Sequence, residues 1–127
     1  VTGSILLVED DEPLRTIVAR HLRSHGHVVD EVESAEAAIR ELEQGNRPAL
    51  VLLDINLPGD TGWDVLRAPA YEVAGRPDVL VVTATTISPR RLREFGVAGY
   101  LPKPFPLETL IDTIERLLTT EEAQAHA

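Results

Sequence analysis

Three short apolar runs in this 127-residue chain stop abruptly at residues able to do chemistry. Ile5-Leu6-Leu7-Val8 runs into Glu9-Asp10-Asp11-Glu12, Leu50-Val51-Leu52-Leu53 into Asp54, and Val79-Leu80-Val81-Val82 into Thr83. A fourth, shorter run, Gly99-Tyr100-Leu101, leads through Pro102 to Lys103. Unbroken apolar runs closed by turn residues read as strands buried on both faces of a parallel sheet. In an open sheet of that kind ligands bind outside the carboxyl ends of the strands. Glu9, Asp10, Asp54, Thr83 and Lys103 then project from one edge. Three carboxylates suit a hard divalent cation such as Mg2+, which takes one or two carboxylates and keeps several waters. A lysine and a hydroxyl suit an anion of phosphate character. One carboxylate is left as a nucleophile, since aspartate forms acyl phosphates. Plainer readings exist for each piece: Asp54 as a helix-capping residue, and the four acids as a solvated turn ahead of a helix.

The elements that position these residues follow from pattern. Pro13 suits the first turn of a helix whose positive end lies near Asp11 and Glu12. Leu14, Ile17, Val18 and Leu22 form its apolar stripe, and Gly26 stops it. His21 and His25 lie four apart on this helix with His27 beyond. The spacing is that of metal ligands, but no convergent set stands near in sequence, so packing and helix-edge roles are the simpler expectation. Val28 to Val32 reads as an edge strand. Ser34 caps a helix carrying Ala35, Ala38, Ile39 and Leu42, closed by Gly45. Leu57 to Gly62 is too rich in Pro and Gly to continue the central strand and loops over its end. Trp63, Val65 and Leu66 open a third helix that Pro69 must kink or end, and Gly75-Arg76-Pro77 closes it. Ser88 and Pro89 begin a short helix reaching Phe95, with Gly96 as its stop and Leu92 and Phe95 as its apolar anchors. Leu107, Leu110, Ile111, Ile114, Leu117 and Leu118 mark the clearest helix, with Pro106 at its start.

Strands alternating with helices predict an α/β fold, a parallel sheet with helices on both faces. The length allows one domain over 1–127, with a structured core of about residues 4–118 and with 119–127 as a tail or the start of a linker. There is no cysteine, which removes disulfides, thiolate zinc sites and cysteine nucleophiles. A formal net charge of −9 argues against direct nucleic-acid binding by this domain. No apolar run approaches spanning length and no signal peptide is evident, so a cytoplasmic protein without membrane attachment is expected.

The chain resembles the bacterial two-component response-regulator receiver domain. The resemblance rests on Glu9-Asp10, on Asp54 followed by Asn56, Pro58 and Gly62, on Thr83-Ala84, on Tyr100, and on Lys103-Pro104-Phe105. It implies a flavodoxin-like, doubly wound five-stranded parallel sheet of order 2-1-3-4-5 with five helices. It implies that Asp54 accepts a phosphoryl group from the phosphohistidine of a sensor histidine kinase or a phosphotransfer protein. Glu9, Asp10, Asp54 and the backbone carbonyl of Asn56 would hold Mg2+, while Lys103, the Thr83 hydroxyl and the Ala84 amide would hold the phosphoryl oxygens. Thr83 and Tyr100 would form the switch, and Lys103-Pro104 would be cis. An effector domain or downstream protein, and a phosphorylation-dependent homodimer, complete the implied partners. Such a domain accepts its own phosphoryl group and is not a conventional turnover enzyme. Pro69 and the short stretch from Thr83 to Gly96 depart from the usual pattern. A phosphorylation-independent interaction module of the same fold is the alternative, and a small hydrolase using Asp54 in turnover is a more distant one.

Overall fold

The computed structural model describes residues 3–126, with side chains through Thr120. Five parallel strands, β1 (Ser4–Val8), β2 (Val28–Val32), β3 (Leu50–Leu53), β4 (Asp78–Thr83) and β5 (Gly99–Pro102), form one sheet of order β2-β1-β3-β4-β5. Between and after them lie α1 (Glu12–Ser24), α2 (Ala35–Glu43), α3 (Gly62–Arg67), α4 (Pro69–Val73), α5 (Pro89–Phe95) and α6 (Leu107–His126). The three inner strands carry apolar residues on both faces because each face is covered by helices. Leu6, Val8, Val51, Leu53, Val79 and Val81 pack with Ala35, Ala38, Leu42, Val65, Leu66 and Tyr71. Ile5, Leu7, Leu50, Leu52, Leu80 and Val82 face Val18, Ala19, Leu22, Leu110, Ile114 and Leu118. Alternate residues of each strand thus serve opposite cores, as the two-residue period requires.

Strand β2 is an edge strand and its pattern is mixed: Val29 is buried, whereas Val28 is 65% exposed. The α1 stripe is narrower than its sequence implies. Val18, Ala19 and Leu22 are buried, but Ile17 is 44% exposed, because the stripe is wider than the face that meets the sheet and α6. Asp11 caps α1 by accepting the Leu14 N–H at 3.2 Å, and Ser34 caps α2 through the Ala37 N–H at 3.1 Å. His27 lies beyond α1, buried, where its Nδ1 accepts the Gly3 N–H at 3.2 Å and its Nε2 meets Glu115 Oε1 at 3.3 Å.

The expected five helices are six. Proline forces the residue before it out of the helical region, and Ala68 accordingly takes φ −69°, ψ 140°. That one extended residue ends α3 and starts α4, with Pro69 in the first turn, where its missing N–H costs nothing. Tyr71 then anchors α4, buried, its hydroxyl donating to the Pro77 carbonyl at 2.8 Å. The last helix is assigned through His126, past the residue-118 limit expected for the core, while side chains 121–127 lie outside the described residues. Helix α5 has no fully buried residue. Its Phe95 stacks on Trp63 of α3 at 4.6 Å between ring centroids, and the Arg67 and Arg91 guanidinium groups lie over the Phe95 ring. Among the described residues no helix is long and apolar enough to cross a membrane.

Candidate functional site

The strand register delivers the acids to one place. Val8 pairs with Leu53 across β1 and β3, and the ladder runs one step further, the Asp54 N–H donating to the Val8 carbonyl at 3.1 Å. Glu9 and Asp54 therefore leave adjacent strands side by side. Each is almost fully buried, at 2% and 3% exposure, while Asp10 on the following turn is exposed. Carboxylate oxygens of Glu9, Asp10 and Asp54 all lie within 4.8 Å of one another, the one such trio among the described residues. A set of hard oxygen donors of this kind, two of them withdrawn from water, fits a cation such as Mg2+.

On the other side, the Lys103 N–H donates to the Thr83 carbonyl at 2.9 Å, extending the β4–β5 ladder and aiming the lysine along the same edge. Lys103 Nζ stands 2.6 Å from Glu9 Oε1 and 2.9 Å from Asp54 Oδ2. The Lys103-Pro104 peptide bond is cis, as the resemblance implied. Asp54 is held further by the Asn56 N–H, which donates to Oδ1 at 3.0 Å.

One ammonium shared by two buried carboxylates leaves negative charge in excess. Burial pushes the Glu9 carboxyl above the ordinary glutamate range, and the charge of Asp54 adds to this. Hydrogen bonds from Lys103 and from the Asp11 N–H oppose the shift without cancelling it. Burial by itself would lower the Lys103 pKa, but its hydrogen bonds to Glu9 and Asp54 carry it above the ordinary lysine value. Lys103 is thus firmly cationic, and the acids want a second positive charge.

A glycine sets the approach of α3. The Gly62 N–H donates to the Ile55 carbonyl at 3.0 Å. A Cβ at Gly62 would meet the Asp54 carbonyl oxygen at 2.4 Å and Ile55 Cα at 2.9 Å. Only glycine lets α3 begin this close to the backbone of Asp54.

The remaining residues expected at the site fall into two groups. Thr83 is fully buried and its Oγ1 accepts the Thr85 N–H at 3.4 Å; Ala84 is exposed at the same edge. Asn56 is exposed, and its side-chain amide donates to Thr85 Oγ1. The Tyr100 hydroxyl donates to the Thr85 carbonyl at 3.0 Å. Thr85 therefore joins Asn56, Thr83 and Tyr100, a role sequence reasoning missed. Nothing in Thr83-Ala84-Thr85-Thr86 separates Thr85 from Thr86, since only the path of the chain after β4 decides which threonine faces the site.

Comparison with known proteins agrees with this geometry. The family model for the response regulator receiver domain matches residues 5–115. The chain is 34% identical over 120 residues to the transcriptional regulatory protein PdtaR of Mycobacterium tuberculosis, covering 91% of this chain and 56% of that protein. It spans between about a quarter and just over half of the length of the first curated relatives it matches. Among solved structures, a CheY-like receiver domain from Methanospirillum hungatei superposes with a TM-score of 0.87 at 23% identity, covering 98% of this chain and 99% of that one. The response regulator TrrA of Thermotoga maritima, solved in complex with Mg(2+)-BeF, superposes with a TM-score of 0.76 at 26% identity, covering 90% and 97%. With the strand order, the acid trio and the lysine at one sheet edge, these matches place the chain: it belongs to the response regulator receiver domain family.

Proposed function

We propose that Asp54 is the residue through which this receiver domain exercises its phosphoacceptor signalling function, taking a phosphoryl group from the phosphohistidine of a sensor kinase or phosphotransfer protein. The observation that carries the reading is the placement of the Asp54 carboxylate. It sits buried at the end of the central strand, with Lys103 Nζ 2.9 Å from Oδ2 and Glu9 and Asp10 beside it. Phosphoryl transfer needs positioning and neutralisation of oxygen charge more than covalent help. An Asp54 carboxylate oxygen attacks phosphorus as the bond to the histidine nitrogen breaks. Lys103 stays charged throughout and turns its ammonium from the carboxylates toward the incoming phosphoryl oxygens, joined by the Ala84 N–H and the Thr83 hydroxyl. Glu9, Asp10, Asp54 and the Asn56 carbonyl would hold Mg2+, which when bound supplies the positive charge that three acids and one lysine lack.

Readout follows the hydrogen bonds around Thr85. Thr83 Oγ1 is occupied by the Thr85 N–H, and the Thr85 carbonyl by Tyr100. Thr83 turning toward a phosphoryl group gives up the Thr85 N–H, and the change passes through one residue to Tyr100. The effector or downstream partner reads the surface that moves.

The test is intact-protein mass spectrometry after treatment with a small acyl-phosphate donor and Mg2+. The parent gains one phosphoryl group and Asp54→Asn gains none. Undiminished labelling of the variant refutes Asp54 as acceptor. No labelling of the parent supports the interaction-module alternative, and sustained turnover of donor supports a hydrolase.

A further inference from the structure

Arg15 of α1 reaches the acid trio from behind. Its side chain is only 15% exposed, and Nε lies 3.6 Å from Glu31 Oε1 on edge strand β2. Nη1 donates to the backbone carbonyl of Glu9 at 2.9 Å. The other oxygen of the Glu31 carboxylate accepts from Arg23 Nη1 at 2.9 Å, and Arg23 Nη2 donates to the Val29 carbonyl at 2.7 Å. Two arginines about two turns apart on α1 thus grip β2 through one carboxylate, and the nearer one extends to the backbone of Glu9.

That contact falls where the sheet stops holding the chain. The β1–β2 ladder closes with the Glu9 N–H donating to the Val32 carbonyl at 3.1 Å, and β2 ends at Val32. The Glu9 carbonyl belongs to the next peptide, the one that turns the chain toward Asp10 and α1. A guanidinium is a planar, permanently charged donor, so its bond to a carbonyl is strong and directional. Held by it, this peptide fixes the directions in which the Glu9 and Asp10 side chains leave the backbone. The Glu9 carboxylate carries the effect onward, accepting the Asp11 N–H on Oε2 at 3.1 Å and meeting Lys103 Nζ through Oε1 at 2.6 Å. Mg2+ demands near-ideal octahedral geometry, so it rewards acids held in place beforehand.

We propose that Arg15 is a positioning residue for the Mg2+ site: through the Glu9 carbonyl it sets the turn that aims Glu9 and Asp10 toward Asp54, while Glu31, held by Arg23, keeps Arg15 in place. This role rests on the reading of Glu9, Asp10 and Asp54 as the Mg2+ ligands. Placement and charge act here with opposite sign. A cation beside three acids repels a second cation, so by charge alone the loss of Arg15 would tighten Mg2+. By placement its loss loosens Mg2+ in spite of the repulsion removed. A role confined to packing α1 on β2 would lower the melting temperature and leave the Mg2+ affinity of the folded protein unchanged.

The test uses the whole chain and Mg2+ itself, with Arg15→Met, Glu31→Gln and the double variant, each checked for folding by circular dichroism. Calorimetric titration gives a Mg2+ dissociation constant about tenfold weaker in Arg15→Met, the low end of the loss when a group that supports a metal ligand is removed. Glu31→Gln weakens Mg2+ less, and adds nothing in the Arg15→Met background, because residues acting through one another are not additive. In EDTA the Asp11 amide exchanges faster in Arg15→Met than in the parent, a reading that needs neither metal nor phosphoryl donor. Mg2+ affinity equal to or tighter than the parent's in folded Arg15→Met overturns the proposal, as does a Glu31→Gln effect undiminished in the double variant. Where Arg15→Met does not fold, the exposed Glu31→Gln decides, and unchanged Mg2+ affinity with unchanged Asp11 exchange overturns the proposal by itself. A parent that binds Mg2+ but gains no phosphoryl group refutes Asp54 as acceptor and leaves the role of Arg15 standing. A parent that binds no Mg2+ overturns both.

Discussion

Gly62→Ala is the sharpest test of how the site is framed. The added methyl would stand 2.4 Å from the Asp54 carbonyl oxygen and 2.9 Å from Ile55 Cα, both backbone atoms that no rotamer change can clear. Either α3 retreats or the end of β3 shifts, by an amount on the order of 1 Å, since an ordinary contact needs about 3.4 Å. Overpacking of this kind costs about 1–3 kcal/mol. Weakening the 3.0 Å bond from the Gly62 N–H to Ile55 adds about 0.5–1.5 kcal/mol. The lower entropy of alanine in the unfolded chain returns about 0.4–1 kcal/mol. The net expectation is a loss of about 0.5–4 kcal/mol, set against the 5–15 kcal/mol typical of a domain. Because the shift is transmitted to the backbone of Asp54, phosphoryl uptake should slow as well, by up to about a hundredfold for a misplacement near 1 Å. Urea unfolding gives the first quantity and the initial rate of labelling by an acyl-phosphate donor gives the second. Gly45→Ala is the control. Gly45 has φ +97° and no atom within 4 Å of the Cβ position, so alanine there costs about 1–2 kcal/mol of backbone strain and leaves the labelling rate alone. Gly62→Ala within about 0.5 kcal/mol of the parent and labelled at the same rate would refute the close-approach argument.

Lys103→Met leaves Glu9 and Asp54 buried without their cation; breaking a buried pair costs about 3–5 kcal/mol, and with Lys103 18% exposed the expectation is about 2–4 kcal/mol in EDTA, largely recovered on adding Mg2+. Urea unfolding with and without Mg2+ measures it, and equal stability of variant and parent in EDTA would count against the pairing. Because the folded Glu9 pKa is raised, the native state holds that proton more tightly than the unfolded chain. The Glu9 contribution to stability is therefore fully present below the ordinary glutamate range and is lost as pH rises through the raised value. In EDTA, Glu9→Gln should flatten this fall between mildly acidic and neutral pH, and unfolding midpoints across that range show it; an unchanged slope contradicts the assignment. Trp63→Ala removes the stack on Phe95, worth about 0.5–1.5 kcal/mol beyond burial, and should speed amide exchange across α5 while leaving α6 unchanged. Unaltered exchange from residue 90 to 95 would show that the stack does not hold α5.

The residues proposed as the switch show where structure adds most to the sequence reading. Thr83 and Tyr100 stand 17 positions apart in a chain of hydrogen bonds whose middle member is Thr85. The type and strand-end position of each outer residue were visible in sequence. The middle member was not, because a threonine in a polar run carries no mark of the direction it faces. Helix α5 is a parallel case. Its sequence shows Leu92 and Phe95 as anchors and a helix too short to stand alone, but the ring that Phe95 meets comes from Trp63, on a helix more than 20 residues earlier.

Local sequence determined a great deal here. The unbroken apolar runs pointed to buried parallel strands, their acidic, hydroxyl and lysine endings to a common chemical edge, Ser34 marked one helix start and Asp11 or Glu12 stood near another, because strand burial and capping depend on residues within a few positions. Pro69 was read as a break, yet whether the chain would leave the helix or resume it depended on Tyr71 finding a buried place and a partner at Pro77. His21 and His25, four apart in sequence, share a cleft with Glu108 and Asp112 of α6, more than 80 residues later, a neighbourhood their spacing does not show. The need for glycine at position 62 lay in the backbone of Asp54, which the turn after β3 brings so close that a Cβ at this position would overlap the Asp54 carbonyl oxygen. Residue type and spacing report what a segment can do, while distances between segments are settled by packing two helical layers onto one twisted sheet, and no local pattern encodes them.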